Sequence, residues 1–259
     1  LAFEGVNGTV CGTANGINLF LKSLKQLLKI SDINVKYSWT DKQAFRRFKA
    51  RKKKEIVTIG LKQINPSKSV GKYVKASEWN EFLEDPDTVV IDTRNEYEIK
   101  IGNFVGALNP HTNSFREFPL WVQKYLKPLI KEKPSLKIGM YCTGGIRCEK
   151  ATSYLIEEGF SDVHHLEGGI LKYLEDVAPE KSLWDGECFV FDQRVSLDHE
   201  LLPGSHRMCH ACGLPISPED LKKTSYIKGL QCEGCINKFT DSDRARFAER
   251  QRQIDETMK

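Results

Sequence analysis

The spacing of apolar side chains predicts that helices and strands alternate in the first 60 residues. Residues 14–28 repeat apolar side chains at intervals of three and four, which is typical of an amphipathic helix. Stretches with apolar and β-branched residues predict a strand and loop at residues 3–13 and strands at residues 35–40 and 56–60, and the pattern favours a short helix at residues 41–48. Together with one further strand upstream, these elements would form a small α+β sandwich with helices on one face of an antiparallel sheet.

A second pattern begins after a predicted linker, where Asn65-Pro66-Ser67 and Gly71 interrupt the apolar periodicity. A helix is predicted at residues 76–84 and a buried strand at residues 88–92, and strands and helices then alternate as far as Leu174. This alternation is typical of a parallel sheet covered by helices, in which ligands bind at the carboxyl ends of the strands.

The end of one such strand carries the most informative chemistry of the chain. Residues 136–141 form a predicted buried strand that stops at Cys142, and residues 149–157 have the composition of a helix. The N–H groups of the connecting loop, the helix N-terminus and Arg147 all favour a thiolate. We therefore expect the pKa of Cys142 to lie below its ordinary value of about 8.5.

The length of this loop argues against a phosphate-binding cradle. Cysteine phosphatases place five residues between the cysteine and the arginine, whereas this chain places four: Thr143, Gly144, Gly145 and Ile146. The smaller ring of amides suits a terminal sulfur or another small group on the cysteine. The alternative is a buried structural cysteine beside a turn, which the two adjacent glycines and Arg147 disfavour.

Several motifs resemble those of a rhodanese domain: VVIDTR at residues 89–94, Tyr97-Glu98, GNFVGALN at residues 102–109, CTGGIRCEKA at residues 142–151 and LEGGI at residues 166–170. More closely, the chain resembles the rhodanese-related tRNA uridine-34 hydroxylases across essentially its whole length. This resemblance is carried by GTVCGTANGI near the start, CTGGIRCEKA in the middle and WDGECFVFDQRV further on. One departure is Asn103, where many rhodaneses carry histidine, so no acid–base role is assigned to that position.

The resemblance implies three regions. They are an N-terminal ferredoxin-like (acylphosphatase-like) α+β domain at residues 1–66, a central rhodanese-like α/β domain with a parallel sheet at residues 72–178, and a small Cys-rich region at residues 179–259. A chain of 259 residues has room for two or three domains, and because it does not begin with methionine we expect further residues upstream.

Composition argues against a membrane protein and favours a reducing compartment. No apolar run approaches the roughly 18 to 20 residues that cross a bilayer, so we expect no membrane association. Eight cysteines, one of them reactive, fit the reducing cytoplasm better than a secreted disulfide scaffold.

Positive charge is concentrated in residues 1–75, which contain 16 Lys and Arg against 4 Asp and Glu, whereas the remainder has a net charge of −8. The densest stretch predicts an RNA-binding surface that includes Arg46, Arg47, Lys49, Arg51, Lys52, Lys53 and Lys54. Phe45 and Phe48 lie three residues apart on the predicted helix, and we expect them to face the core. The alternative for the charges is a solvated helix face, but so large a net charge on a small module has no evident folding purpose.

Three further residues are expected near Cys142. Asp92 and Arg94 lie at the end of a strand, and we expect them to form a structural pair that supports the site. Cys148 is either a packed helix cysteine, which we favour, or a thiol that resolves oxidised Cys142 as a disulfide. Cys11 and Cys188 are expected to be packed within their domains.

The remaining cysteines form two CxxC pairs separated by nineteen residues, namely Cys209, Cys212, Cys232 and Cys235. This spacing is typical of a zinc ribbon, in which four thiolates complete a tetrahedron about Zn²⁺. Such a zinc would be structural and would help to fold a tail with little apolar content. The alternatives are free thiols without a metal and a pair of disulfides.

Three functional hypotheses remain open. The resemblance implies oxygen-dependent hydroxylation of tRNA uridine 34 at C5, with O₂ as co-substrate and the basic domain holding the anticodon arm. In that reaction the Cys142 thiolate could add to C6 of the uracil, while Arg147 and the loop amides stabilise negative charge. The second hypothesis is sulfur transfer through a Cys142 persulfide, and the third is a non-catalytic RNA-binding or redox-sensing protein. No binding motif for an organic cofactor is recognised.

Overall fold

The computed structural model describes residues 1–45 and 47–257 of the chain. These residues form two compact units, of which the first ends at Ile56 and the second begins at Val57. In the described part of the chain, no helix has both the length and the apolar character that a membrane span requires.

The first unit contains helix α1 (Ala14–Leu28), which has the predicted bounds. Thr13 caps its N-terminus, because the Thr13 hydroxyl oxygen accepts a hydrogen bond from Gly16 N (3.2 Å). Lys29 ends the helix in the left-handed conformation, with φ of 54°. The helix is therefore defined by its own terminal residues.

The strands predicted for this unit are wrong in detail. Residues 3–13, 35–40 and 56–60 contain no strand in the described structure. A strand requires a partner backbone, and backbone hydrogen bonds of this unit join other positions: Leu1 N donates to Arg51 O (3.0 Å), and Lys53 N donates to Leu1 O (2.8 Å). The apolar pattern therefore identified extended segments without determining their pairing.

The helix predicted at residues 41–48 is also wrong for the described residues of that stretch, which form bends and irregular backbone. Thr40 supplies a reason at its start. Its hydroxyl accepts from Lys42 N (3.3 Å) and donates to Lys42 O (3.0 Å). Because the side chain takes up the backbone groups that a first helical turn would use, it favours a turn there.

The second unit contains all the strands of the described structure. They are β1 (Lys72–Val74), β2 (Thr88–Asp92), β3 (Gly102–Phe104), β4 (Lys137–Tyr141), β5 (Val163–Leu166), β6 (Trp184–Gly186), β7 (Cys188–Phe189), β8 (Ser196–Leu197), β9 (Arg207–Met208) and β10 (Pro215–Ile216). Strands β1, β5, β4 and β2 form a parallel sheet in that order, as the alternating pattern predicted. The short pairs β3–β6, β7–β8 and β9–β10 are antiparallel.

The helices of this unit are α2 (Ala76–Glu84), α3 (Glu96–Ile99), α4 (Phe118–Trp121), α5 (Lys127–Glu132), α6 (Ile146–Glu157), α7 (Gly169–Asp176) and α8 (Asp241–Thr257). A π-helical turn (Val122–Leu126) joins α4 to α5, and single 3₁₀ turns occur at Phe115–Glu117, Pro179–Lys181, Asp220–Lys222 and Glu233–Cys235.

Apolar side chains cover both faces of the parallel sheet, because successive strand residues point to opposite sides. Ile91 and Met140 belong to one core and pack with Leu155 of α6. Val90 and Tyr141 belong to the other core, which also contains Trp79 of α2 and residues of α7. A sheet buried on both faces leaves its strand ends as the open place for chemistry.

Residues on both sides of the predicted central domain (residues 72–178) pack with its core. Ile59 and Ile64 are buried in a core of the second unit, where they belong to the same cluster as Ile91 and Met140 of the sheet. On the other side, β6 pairs with β3, and Trp184 packs edge to face on Phe104 (ring centroids 5.1 Å apart). Residues on both flanks therefore complete the central core.

Candidate active site and metal centre

The loop after β4 lies at the carboxyl edge of the parallel sheet. Cys142 follows the last residue of β4, whose neighbour across the sheet is Asp92 at the end of β2. Gly145, with φ of 93°, leads into α6, which begins three residues earlier than predicted. Arg147 and Cys148 therefore belong to the first turn of this helix.

Cys142 is completely buried, and polar hydrogens surround its sulfur. Gly145 N donates to Cys142 Sγ (3.1 Å). Burial by itself raises the pKa of Cys142, but the Cys148 thiol, the Arg147 charge and the N–H groups of Cys148 and Arg147 lower it to about 5. These groups favour the thiolate at neutral pH, which is the form in which a cysteine acts as a nucleophile.

Cys148 serves as a neutral partner of that thiolate. It is fully buried, and its sulfur also lies 3.6 Å from Thr93 Oγ1. Burial and the hydrogen bond to Cys142 both raise the pKa of Cys148, which keeps its proton in place as a donor. The packed position agrees with the interpretation favoured from the sequence.

Arg147 is held by a carboxylate that the sequence analysis did not select. Its two terminal nitrogens donate to the two oxygens of Glu98, each at 2.7 Å, and both side chains are buried. Burial raises the pKa of Glu98, but the charge and hydrogen bonds of Arg147 lower it more, and the pair is ionised. Arg147 also donates to Thr143 Oγ1 (3.3 Å) within the loop.

Glu98 had a weak signal in the sequence. It belongs to the Tyr97-Glu98 motif and lies in α3, whose N-cap residue Asn95 forms a capping box with it. Because Glu98 is 49 positions from Arg147, only the parallel arrangement of β2 and β4 brings the two together.

Asp92 and Arg94 form the predicted structural pair. Arg94 donates to both Asp92 oxygens, and the closest contact is 2.6 Å between two fully buried side chains. Arg94 also donates to the carbonyl oxygens of Glu98 (3.3 Å) and Gly102 (2.6 Å). Burial lowers the pKa of Arg94, but Asp92 raises it overall, so the guanidinium stays charged and joins α3 to β3. Asp92 therefore orients the framework around Glu98.

A glycine pair from the start of α7 supports the Cys142 loop from outside. Ile170 N donates to Cys142 O (3.0 Å), and Leu171 N donates to Thr143 O (3.1 Å). Gly169 has φ of 69°, and a Cβ there would lie 2.4 Å from Cys142 O. The LEGGI motif therefore provides room for the loop, a role that the sequence analysis had not assigned.

The hairpin of β7 and β8 also reaches the site. Cys188 is fully buried, as expected, and burial raises its pKa to about 12, so it remains a neutral thiol. Phe191, in the connection between the two strands, places its ring 5.9 Å from the Arg147 guanidinium. Cys11, by contrast, was expected to be packed and is exposed, because it precedes α1 in an irregular segment.

Of the predicted RNA-binding residues, those that the structure describes lie at the surface of the first unit. Exposed members are Arg47, Lys49, Arg51, Lys52, Lys53 and Lys54, and Arg46 lies outside the described residues. The prediction that Phe48 faces the core is wrong: its side chain is 77% exposed, because the helix that would have directed it inward is absent. Phe45 is half-buried, and Trp39 is 84% exposed.

The four C-terminal cysteines come together as a group that could hold a metal ion: the sulfur atoms of Cys209, Cys212, Cys232 and Cys235 all lie within 4.8 Å of one another. Three of the sulfur–sulfur distances are 3.7 to 3.9 Å. Four thiolates at about 2.3 Å from a tetrahedral Zn²⁺ lie about 3.8 Å apart, so this donor set fits the ion. None of these four cysteines forms a disulfide in this structure, so the alternative of two disulfides is not supported.

Two family models match the chain, one in each of the two compact units. Residues 1–56 match a family model described as a UPF0176 acylphosphatase like domain, and residues 75–176 match a rhodanese-like domain. These matches confirm the predicted fold class of both regions.

Curated relatives match almost the entire chain. The tRNA uridine(34) hydroxylase of Prochlorococcus marinus (strain NATL1A) is 85% identical over all 259 residues, which cover 81% of that protein. The tRNA uridine(34) hydroxylase of strain MIT 9303 is 60% identical over 255 residues, covering 98% of this chain and 82% of the relative.

Similar solved structures include a protein of unknown function, a possible tyrosine phosphatase, from Rhodopseudomonas palustris. It is 23% identical with a TM-score of 0.37, over 44% of this chain and 86% of that one. A rhodanese-related protein from Thermoplasma volcanium is 22% identical with a TM-score of 0.33, over 42% of this chain and 95% of that one.

Proposed function

The chain belongs to the tRNA uridine(34) hydroxylase family, and from that premise we propose that it converts uridine 34 of tRNA to 5-hydroxyuridine with O₂ as co-substrate. Cys142 and Arg147 are the proposed catalytic residues. The loop residues between them hold the sulfur, and Asp92 and Arg94 support the loop. The single observation that carries this proposal is the Cys142 thiolate held by Gly145 N and the first turn of α6.

The thiolate can make the uracil ring reactive toward an oxidant. Its sulfur forms a bond to C6, and the electron pair of the C5–C6 double bond moves to C5 and the O4 enolate. C5 then forms a bond to one oxygen atom of O₂, and a thiol reductant supplies two electrons and two protons that release the second atom as water. Loss of the C5 proton and of the Cys142 sulfur restores the double bond. Arg147 and the loop amides stabilise the returning thiolate.

Isotope labelling tests this proposal directly. Unmodified tRNA is incubated with the protein and a thiol reductant under ¹⁸O₂, and its nucleosides are analysed by mass spectrometry. We expect 5-hydroxyuridine at position 34 that carries the heavy oxygen. Heavy oxygen from labelled water instead would overturn the O₂ assignment.

A parallel incubation with thiosulfate distinguishes sulfur transfer. If uridine 34 gains no oxygen while intact-protein mass spectrometry finds a persulfide on Cys142, the hydroxylase proposal fails and sulfur transfer replaces it.

Residues 37–54 supply the proposed contact with the anticodon arm. Their exposed cations attract phosphates, and the exposed rings of Trp39 and Phe48 lie among them in the sequence. Cations with interspersed aromatic rings suit an unpaired strand, because phosphates meet the charges while bases stack on the rings. We also assign the reaction to the cytoplasm, where the eight cysteines can remain free of disulfide bonds.

Removing four of these charges should weaken RNA binding about tenfold or more at moderate salt. The variant combines Arg51→Ala, Lys52→Ala, Lys53→Ala and Lys54→Ala. Because each lost phosphate contact reduces counterion release, the plot of log affinity against log salt concentration should become flatter by about 0.7 to 0.9 per contact. Fluorescence anisotropy with an anticodon stem-loop measures both quantities.

A charge-matched control separates this surface from net charge. It replaces four exposed lysines of the second unit, Lys62, Lys68, Lys131 and Lys133, with alanine. Equal loss of affinity in both variants would contradict a specific contact by residues 51–54.

We propose that the four C-terminal cysteines hold a structural Zn²⁺. The ion would join the turn that contains Cys209 and Cys212 to the turn that contains Cys232 and Cys235. With all four positions filled by protein sulfur, it would have no open site for substrate. Its contribution is therefore to folding of the C-terminal region.

Metal analysis of the purified protein should find about one zinc per chain. Cys232→Ser should lose that zinc and lower the melting temperature, because three thiolates and a hydroxyl bind the ion more weakly. Cys11→Ser, at an exposed cysteine of the first unit, should retain the full zinc content. A metal-free protein with normal melting would contradict the proposal.

A further inference from the structure

We infer that Phe191 and the adjacent Arg147 form a nucleobase subsite, in which the Phe191 ring stacks on the uracil that reacts at Cys142. The inference rests on the proposed function and assigns the place where the substrate base binds. It concerns a residue outside the Cys142 loop, contributed by the region that follows the rhodanese domain.

Phe191 is a large exposed ring beside an otherwise buried site. Its side chain is 64% exposed and lies over the Arg147 guanidinium at 5.9 Å. Cys142, Arg147 and Glu98 are all buried. An apolar ring that covers one face of a catalytic cation and leaves much of its own surface open is suited to receive a planar ligand.

A row of aromatic contacts positions this ring. Phe191 packs edge to face on Phe189 (ring centroids 5.0 Å apart), and Phe189 packs edge to face on Tyr97 (5.3 Å). Phe189 is buried, and Tyr97 directly precedes the Glu98 that binds Arg147. The row therefore connects the exposed ring to the carboxylate that orients the catalytic arginine.

The turn that carries Phe191 is also constrained. Asp192 and Arg194 form an ion pair at 2.6 Å, and Val195 N donates to Asp192 O (3.2 Å). Val195 adopts φ of 68°, a conformation that a β-branched residue rarely takes. Because these contacts hold the turn in one shape, little conformational entropy is lost when the ring binds a ligand.

The chemistry of the substrate agrees with this position. Uracil is a flat ring that must leave its stack of bases to reach an enzyme sulfur. An aromatic side chain replaces the lost stacking, and Arg147 lies next to it, where negative charge develops on the enolate. Since Cys142 is fully buried, the side chains around it must separate before the sulfur reaches C6, and the base can already be stacked on Phe191 beside Arg147 when they do.

Kinetics of Phe191 variants test the subsite. Phe191→Ala should reduce kcat/KM for tRNA hydroxylation about ten- to hundredfold, mainly through KM, whereas Phe191→Tyr and Phe191→Trp should stay within about threefold of the parent. Phe191→Leu should resemble the alanine variant, because it keeps apolar volume and loses the aromatic face. The ultraviolet thiolate absorbance of Cys142 should be the same in all four.

Tyr125→Ala is the matched control. Tyr125 is 53% exposed and has its own cation contact, with Lys124 Nζ 5.0 Å from the ring, but it lies on the π-helical turn. It should leave kcat/KM unchanged. Parent-like kcat/KM in Phe191→Ala, or full activity in Phe191→Leu, would overturn the stacking assignment.

If the parent protein forms no 5-hydroxyuridine, that result counts against the proposed function but not against the subsite. A binding measurement then tests the subsite by itself. The parent should bind an anticodon stem-loop with uridine at position 34 more tightly than one with an abasic site there. Phe191→Ala should bind the two equally. Equal discrimination by the parent and by Phe191→Ala would refute the subsite independently of any reaction.

Discussion

Replacing Cys142 by serine should lower the rate of 5-hydroxyuridine formation by about a thousandfold or more, the scale of loss when a covalent nucleophile is removed. A serine hydroxyl fits the buried position but is not ionised near neutral pH. It therefore cannot use the stabilisation that Gly145 N and Arg147 give to a sulfur anion. Single-turnover assays with nucleoside mass spectrometry measure the loss.

The thiolate absorbance and the rate of the chemical step should both depend on pH as expected for an ionised Cys142. Because the pKa of Cys142 is lowered to about 5, its charged and reactive form is lost only as the pH falls through that value. The difference in ultraviolet thiolate absorbance between the parent and Cys142→Ser should therefore have a midpoint near pH 5. Near neutral pH, where Cys142 is already ionised, titration of this thiol should not change the rate of the chemical step. An ordinary thiol would still be titrating near pH 8.5.

Cys11→Ser is the control for general loss of a thiol, since Cys11 is an exposed cysteine of the first unit. It should retain parent activity and the parent titration. Substantial 5-hydroxyuridine formation by Cys142→Ser would exclude a sulfur adduct and would assign the reaction to another group.

Replacing Glu98 by glutamine should destabilise the protein by about 3–5 kcal/mol, because it removes the carboxylate that is hydrogen-bonded to the buried Arg147 guanidinium. The shape of the side chain is kept, so the loss reports the charge and not the packing. The pKa of Glu98 is lowered in the folded protein, so its contribution to stability is present above the ordinary carboxyl pKa. That contribution is lost as pH falls through the lower folded value, so the difference between parent and variant should shrink in acid. Urea unfolding at several pH values measures it.

Glu158→Gln provides the matched change at a solvent-exposed ion pair. Lys127 Nζ lies 2.6 Å from Glu158, but both side chains are partly exposed, so we expect a loss of at most about 1 kcal/mol. The double variant Glu98→Leu with Arg147→Leu should recover much of the stability without recovering activity, because it removes both buried charges. If Glu98→Gln alone has the same free energy of unfolding as the parent, the buried ion pair between Glu98 and Arg147 is contradicted.

Local spacing accounts for the parts of the site that could be predicted. The strand, Cys142, the glycine loop and the helix are contiguous, so their order alone places a thiol at the N-terminal end of α6. The two CxxC pairs likewise predicted that four sulfurs would meet. Asp92 and Arg94 are two residues apart and formed the expected pair.

The first unit shows where such patterns are insufficient. Helix α1 was predicted correctly because Thr13 and Lys29 mark its ends within the sequence itself. The predictions of the neighbouring strands and of a buried Phe48 were wrong. Apolar alternation indicates a preference for extended backbone, but it does not select a hydrogen-bonding partner.

Residue types alone were enough to predict the Cys142 loop and its length, the class of the parallel sheet and the group of four cysteines, since each depends on short separations along the chain. Only the tertiary structure decided that Glu98 binds Arg147, that Gly169 makes room for Cys142 and that Phe191 covers Arg147. Those contacts join residues far apart in the chain, and they depend on the strand order of the sheet and the path of the β7–β8 hairpin. The physical reason is that short spacings act through the local backbone, whereas distant side chains meet only after the strands have paired and the cores have packed.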